Sequence, residues 1–328
     1  MLVNEMLSEE SKAVVLLLLA LESDEDIKIL SDAEFLHVEA KLKENGLSFT
    51  ALYDADVLSF IATELELDFD RLKALLSRGF ELSYEMANLN QQGIWLVTYL
   101  DNEYPKTLKK KMRNKAPKML FGIGNIDFLN RGGLALMASQ SVNKNAVSYA
   151  EEISKRLAHE NLMLITGGSK GVETLILETV LKNGGNAVAV IPDTLLQRCY
   201  REFLSEAIAE ERLTMISPYH PRSGFASNKL KNRNSTIFSL CDYALIIASD
   251  LKRGGTWSGA VTELKKRSHV PIFTYKSTPE AIGNKALESM GAITWPEFDK
   301  SKSVLPQIKA FLNSDKQSST EGGQLELF

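Results

Sequence analysis

From Leu134 to Trp295 the chain repeats one pattern: a short, continuously apolar run, a turn, then a segment with apolar residues three and four apart. The apolar runs predict strands at Leu134–Ala138, Leu162–Thr166, Ala187–Ile191, Leu213–Ile216, Tyr243–Ala248, Pro271–Tyr275 and Ala292–Trp295. Helical spacing predicts Asn145–His159, Gly171–Asn183, Cys199–Glu210, Lys229–Leu240, Ser258–Arg267 and Ser277–Met290. Strands that are apolar throughout are buried on both faces, and their alternation with helices predicts a parallel sheet covered on both sides.

The expected fold class is α/β: an open, mostly parallel, Rossmann-like sheet with helices on both faces, preceded by a small helical domain. That domain, residues 1–90, carries helical spacing over Ala13–Glu22, Asp32–Glu44, Asp54–Leu65 and Asp68–Arg78. Ser31 and Glu34 have capping-box spacing, and Gly46 suits the end of that helix. From Gly93 the character changes to β-rich Ile94–Tyr99, a turn at Asp101–Pro105, a basic stretch and a short strand from Met119. The sheet domain is expected over residues 91–300. After it comes a short helix, Val304–Leu312, then polar Asn313–Gly323, expected to be disordered, and a terminal Gln324-Leu-Glu-Leu-Phe328.

Composition narrows the chemistry. The 328 residues carry a formal charge of −4, which argues against a uniformly basic coat but leaves room for a local basic face. Two cysteines, Cys199 and Cys241, fit a reducing compartment, and the four histidines have no metal-ligand spacing. The most apolar stretch, Ala13–Ala20, is shorter than a membrane span requires, so no membrane partner is expected and the cytoplasm is the default location. No Ser/His/Asp arrangement or metal cluster is visible, so neither a catalytic residue, a metal nor a cofactor is expected.

Two glycine-rich turns, Thr166–Gly171 and Arg253–Ala260, each lie between an apolar run and a helix. Such a turn presents backbone N–H groups at the positive end of a helix, where phosphate binds. In the first, Gly167, Gly168 and Gly171 let the backbone approach an anion, Ser169 adds a hydroxyl and Lys170 a charge. The competing reading is a tight turn with no ligand. Arg253, Gly254, Gly255, Thr256 and Ser258 form a second cradle, in which Thr256 or Ser258 could instead cap the helix. Trp257 could stack on a base or pack on the sheet.

Arg233 and Asn234 are expected to begin the helix before Tyr243–Ala248 and to touch phosphate or base, with Lys229 and Lys231 adding attraction. A solvated helix start is the other reading. Ser139 and Ser141 follow the first core strand and either donate to phosphate or simply end it. The stretch from Lys106 to Lys118 holds seven Lys/Arg and no acid, and is either a phosphate path or a solvated face.

The order of motifs resembles the DNA-processing protein A family (DprA, also called Smf) from about Gly93 to Trp295. The matching pieces are Asp101-Asn-Glu-Tyr-Pro105, Ala116-Pro-Lys-Met-Leu-Phe-Gly-Ile-Gly-Asn125, Thr166-Gly-Gly-Ser-Lys-Gly-Val-Glu173, Asn232-Arg-Asn234, Gly254-Gly-Thr-Trp-Ser-Gly-Ala260, Gly283-Asn-Lys-Ala-Leu287 and Gly291-Ala292. The resemblance implies a SAM-like N-terminal domain and sequence-independent binding of single-stranded DNA. It also implies a homodimer formed through the Rossmann-like domain and help in loading the recombinase RecA. Several positions depart from the family's pattern. Met137-Ala-Ser-Gln140 replaces Val-Gly-Ser-Arg, Glu173 replaces an aspartate, Leu177 a histidine and Ser235 an arginine, and the 33 residues after Trp295 leave no room for a winged helix. A diverged member with a specialised phage-defence or mobile-element role is the resulting expectation.

Two other functions remain open on sequence. One is a regulator or antitoxin that neutralises a neighbour-encoded toxin by direct binding. The other is a phosphoribohydrolase-like nucleotide enzyme using Glu263, which follows the Gly-Gly-Thr turn as in nucleotide-processing relatives of this fold. Separately, Gln324, Leu325, Leu327 and Phe328 resemble the peptide by which bacterial replication proteins dock on the sliding clamp.

Overall fold

The computed structural model describes residues 7–21, 27–139, 142–224, 227–267, 269–277, 279 and 281–321, without the side chains of 227, 228, 231 and 315–321. The chain forms two compact units. The first is Met1–Gly132 with Val188–Leu240, the second Gly133–Ala187 with Cys241–Phe328. The boundary expected near residue 90 falls inside the first unit.

Nine strands are present among the described residues: β1 (Trp95–Thr98), β2 (Met119–Ile123), β3 (Leu134–Ala138), β4 (Leu164–Thr166), β5 (Ala187–Val190), β6 (Leu213–Ser217), β7 (Tyr243–Ala248), β8 (Ile272–Thr274) and β9 (Ile293–Thr294). The fold is α/β, mostly parallel and flanked by helices, as the alternation of apolar runs and amphipathic segments predicts.

In the first unit the strand order is β1-β2-β6-β5, with β1 antiparallel to β2 and β2 antiparallel to β6. Five helices precede them, Glu9–Leu18, Asp32–Glu44, Ala55–Glu64, Phe69–Leu76 and Gly79–Gln91. The capping box forms: Ser31 Oγ accepts from Glu34 N, and Glu34 accepts from Ser31 N at 2.7 Å. Arg71 then grips Glu34 with both nitrogens, at 2.7 and 3.2 Å. The buried Arg78 donates to Leu16 O and, at 3.1 Å, to Leu19 O, supplying donors to carbonyls that a helix end leaves without partners. Helix Gly79–Gln91 was not separated in the sequence because it opens on Gly79, and its cap position, Arg78, makes no side-chain capping bond.

In the second unit the order is β4-β3-β7-β8-β9, all parallel. Every residue of β3 and β4 is buried, matching runs without polar alternation. Three expected helices change length or number. In the first unit the expected Cys199–Glu210 is Glu202–Ala209, which extended Arg201 separates from an earlier helix, Leu195–Cys199; in the second, the expected Ser258–Arg267 begins at Gly254 and Ser277–Met290 shortens to Ile282–Glu288. The expected disorder from residue 313 is corrected in part, since helix Val304–Glu321 runs through it. Val304 and Ile308 are fully buried and Phe311 meets Phe273, so the helix is anchored at its start, and no Gly or Pro interrupts 313–321. Among the described residues no helix is long and apolar enough to cross a membrane.

Candidate functional site

Strand β3 pairs in parallel with β4 on one side and β7 on the other. The chain leaves β3 towards β4 and later returns to β7, so β3 and β7 flank a topological switch, the place where open α/β sheets bind ligands beyond their carboxyl ends. Ser139 N donates to Ala248 O at 2.8 Å, and Thr166 Oγ1 donates to Leu136 O at 3.3 Å, so the three strand ends stay in register. Ser139, the turn 166–171 and the segment 249–256 therefore leave the second unit's strands along one edge.

The first glycine turn is built as expected around positive φ at Gly168 (58°) and Gly171 (94°), which an L side chain adopts with strain. Lys170 and Gly171 are exposed, Gly168 and Ser169 half-buried, Gly167 buried. The donors are not simply presented to a ligand, however. Glu173, only 2% exposed, reaches back from the first turn of helix Val172–Lys182, and its Oε2 accepts from Ser169 N at 3.0 Å. Its Oε1 lies 3.5 Å from Ala138 N, a long contact to the end of β3. The open backbone cradle expected for this turn is corrected accordingly, because the chain's own carboxylate takes the Ser169 amide. Ser169 O in turn accepts from Thr174 Oγ1 at 2.8 Å.

The second glycine turn is not a separate turn. Gly254, Gly255 and Thr256 are the first three residues of helix Gly254–Leu264, and Arg253 is its cap, with no side-chain capping bond. Ser258 donates backwards to Gly255 O at 3.3 Å and Thr256 is buried, so neither caps the helix. Trp257 is half-buried.

Cations follow the carboxyl ends of β3, β4, β7 and β8: Lys144 after β3, Lys170 after β4, Lys252 and Arg253 after β7, and Lys276 after β8, all exposed. Among the described residues neither Lys170 nor Arg253 pairs with a carboxylate, and Asp250 is the one exposed acid in these connections. Ser139 Oγ is buried and has no hydrogen-bond partner among the described residues.

Asn284, part of the Gly283–Leu287 piece but given no role from sequence, is a structural residue. It is fully buried, accepts from Ser249 Oγ at 3.0 Å, and donates to Ile246 O, Ile247 O and Tyr275 O at 3.0–3.2 Å, tying β7 to β8. Gly283 precedes it because a Cβ there would sit 2.2 Å from Ser249 O.

Other expected site residues lie elsewhere. Arg233 and Asn234 do not begin a helix: they lie within Ser227–Leu240, in the first unit, and are 3% and 0% exposed. Arg233 Nε and Nη2 donate to Asn234 Oδ1 at 3.0 and 2.8 Å, so the pair is buried together rather than offered to solvent. Lys231 lies in the same helix. The basic stretch forms helix Lys106–Met112 and a short turn, Arg113–Lys115. Its end is engaged internally: Lys118 binds Glu39 at 2.9 Å and lies 4.1 Å above the Tyr99 ring.

Glu263 is also displaced from its expected role. It sits in the last turn of helix Gly254–Leu264, roughly 13 Å along the axis from the glycines at 1.5 Å per residue. There it is 4% exposed, pairs with Lys266, and accepts from Val270 N at 3.3 Å. Ser141 and Gln324, Leu325, Leu327 and Phe328 lie outside the described residues.

A family model, DNA recombination-mediator protein A, matches residues 95–303. The chain belongs to this family. A curated relative, DNA processing protein DprA of Streptococcus pneumoniae, is 28% identical over 158 residues, 47% of this chain and 54% of the relative. The match thus spans about half the relative's length. The X-ray structure of DprA from Streptococcus pneumoniae aligns with a TM-score of 0.64 at 19% identity, over 87% of this chain and 94% of that one. DNA processing protein A from Helicobacter pylori, described for its single-stranded DNA binding mode, aligns with a TM-score of 0.52 at 20% identity, over 69% and 96%. These likenesses show a shared Rossmann-like fold. The position the sequence matched to the family's signature aspartate is the one that fills the glycine turn, Glu173.

Proposed function

We propose that this member of the DNA recombination-mediator protein A family is a sequence-independent binder of single-stranded DNA that serves DNA processing or recombination without itself catalysing a reaction. The carrying observation is the row of exposed cations, Lys144, Lys170, Lys252, Arg253 and Lys276, along the carboxyl edge of β4-β3-β7-β8. The N-terminus of helix Gly254–Leu264 opens at the same edge and favours anions. Exposed cations spread over several strand ends suit the phosphates of a sugar–phosphate chain, whose contacts set position rather than sequence. The names of the relatives support the same ligand.

The phosphoribohydrolase reading loses its support, because Glu263 is committed to Lys266 and Val270 at the far end of the helix. Fluorescence anisotropy with a labelled oligo-dT at low salt tests the proposal. Saturable binding is expected; a flat curve rejects it. The terminal Gln324–Phe328 peptide retains its reading as a sliding-clamp ligand, and its deletion is expected to abolish co-elution with the clamp.

A further inference from the structure

The geometry points to Glu173 as the residue that decides which phosphates this edge accepts: it admits the diesters inside a strand and turns away terminal phosphates and free mononucleotides. This rests on the nucleic-acid reading of the edge. In a strand, glycine turn and helix, the innermost amides are where a terminal phosphate would seat itself. Here that position is filled from within, since Glu173 Oε2 is 3.0 Å from Ser169 N and its Oε1 is 3.5 Å from Ala138 N, with the side chain 2% exposed.

A terminal phosphate carries close to two negative charges at neutral pH, having a second ionisation near 6. To enter the turn it must either displace a buried carboxylate or sit directly over it, and repulsion between charges is strongest where water is excluded. A phosphodiester carries one charge and is flanked by sugars on both sides. It can lie outside the turn on Lys170 and Arg253, both exposed, without approaching Glu173. The same carboxylate also holds the shape of the turn, returning from the helix's first turn much as the acid of a capping box does. It therefore positions the turn and closes its interior at once.

The test uses the full chain and competition against a labelled oligo-dT. The competitors are unlabelled oligo-dT with a 5′-hydroxyl, the same oligomer with a 5′-phosphate, AMP and inorganic phosphate, all at matched ionic strength. For the wild type, the 5′-phosphate should change affinity by less than about twofold, and AMP and phosphate should not compete. Glu173→Gln should gain about tenfold in affinity for AMP and for the 5′-phosphorylated oligomer, as expected on removing one nearby charge, while its affinity for the 5′-hydroxyl oligomer is kept. Glu173→Asp, which retains the charge, should discriminate like the wild type.

A wild type that binds AMP, or a folded Glu173→Gln that gains nothing, overturns the inference while leaving DNA binding intact. Failure of the wild type to bind any oligo-dT instead removes the underlying reading. If Glu173→Gln does not fold, as judged by its melting curve, the wild-type competition alone decides.

Discussion

Exposure of individual side chains separates the residues placed to meet the proposed ligand from those that hold the protein together. Lys170 and Arg253 are exposed cations at the carboxyl edge, whereas Arg233 is 3% exposed with its guanidinium on Asn234. Their substitutions should therefore fail in different assays. Arg233→Ala leaves Asn234 buried without that donor and should cost about 1.5–3 kcal/mol of stability, the range for hydrogen bonds to charged groups. Urea unfolding measures this directly. Unchanged stability together with lost DNA binding would return Arg233 to the ligand. The sequence could not make the distinction, because polar residues in a helix read as ligand contacts or as a solvated face unless their buried partner is known. Here one partner is the next residue in the chain.

The strands were legible as elements because their apolar runs need no tertiary information: β3 and β7 match the expected limits, and the other core strands differ only at their ends. The helix starting at Gly254 was not, since two glycines at its head look like a turn until β7 and the sheet fix where the helix begins. Glu173 was visible in the motif, but its return to Ser169 depends on the path of the glycine turn. At the junction of β7 and β8, Gly283→Ala would place a Cβ 2.2 Å from Ser249 O. It should destabilise the protein by about 1–3 kcal/mol, as overpacking does, and thermal melting checks it. No loss of stability would mean that Asn284 is not held where the structure puts it.

Helix Asp32–Glu44 carries a pH dependence through its cap. Hydrogen bonds from Arg71, then from the Ser31 backbone, hold the Glu34 carboxyl down from its usual 4.5 to about 2. A carboxyl depressed on folding adds stability above its unfolded value and loses that contribution as pH falls through the folded one. The gain should therefore be complete above about 4.5 and fade towards about 2, and solvent screening should keep it modest. Urea midpoints from pH 6 to pH 2.5 should fall less steeply for Glu34→Gln than for the wild type. Parallel curves would show that the Arg71 grip contributes nothing.

For the whole molecule, the central claim is that cations spaced along one carboxyl edge neutralise backbone phosphates despite a net charge of −4. Local arrangement, rather than overall charge, then sets both affinity and its sensitivity to salt. We propose, on the family resemblance alone, that the chain forms a homodimer; sedimentation at several concentrations should then reveal a species of twice the chain mass, and a monomer throughout would reject it. The most direct measurement is the slope of log affinity for oligo-dT against log salt, for the wild type and for Lys170→Ala/Arg253→Ala. Each phosphate contact on a single strand contributes roughly 0.7 to that slope, so the double variant should bind more weakly and with a slope shallower by about 1.4. An identical slope and affinity in the two proteins would place the DNA elsewhere and contradict the account.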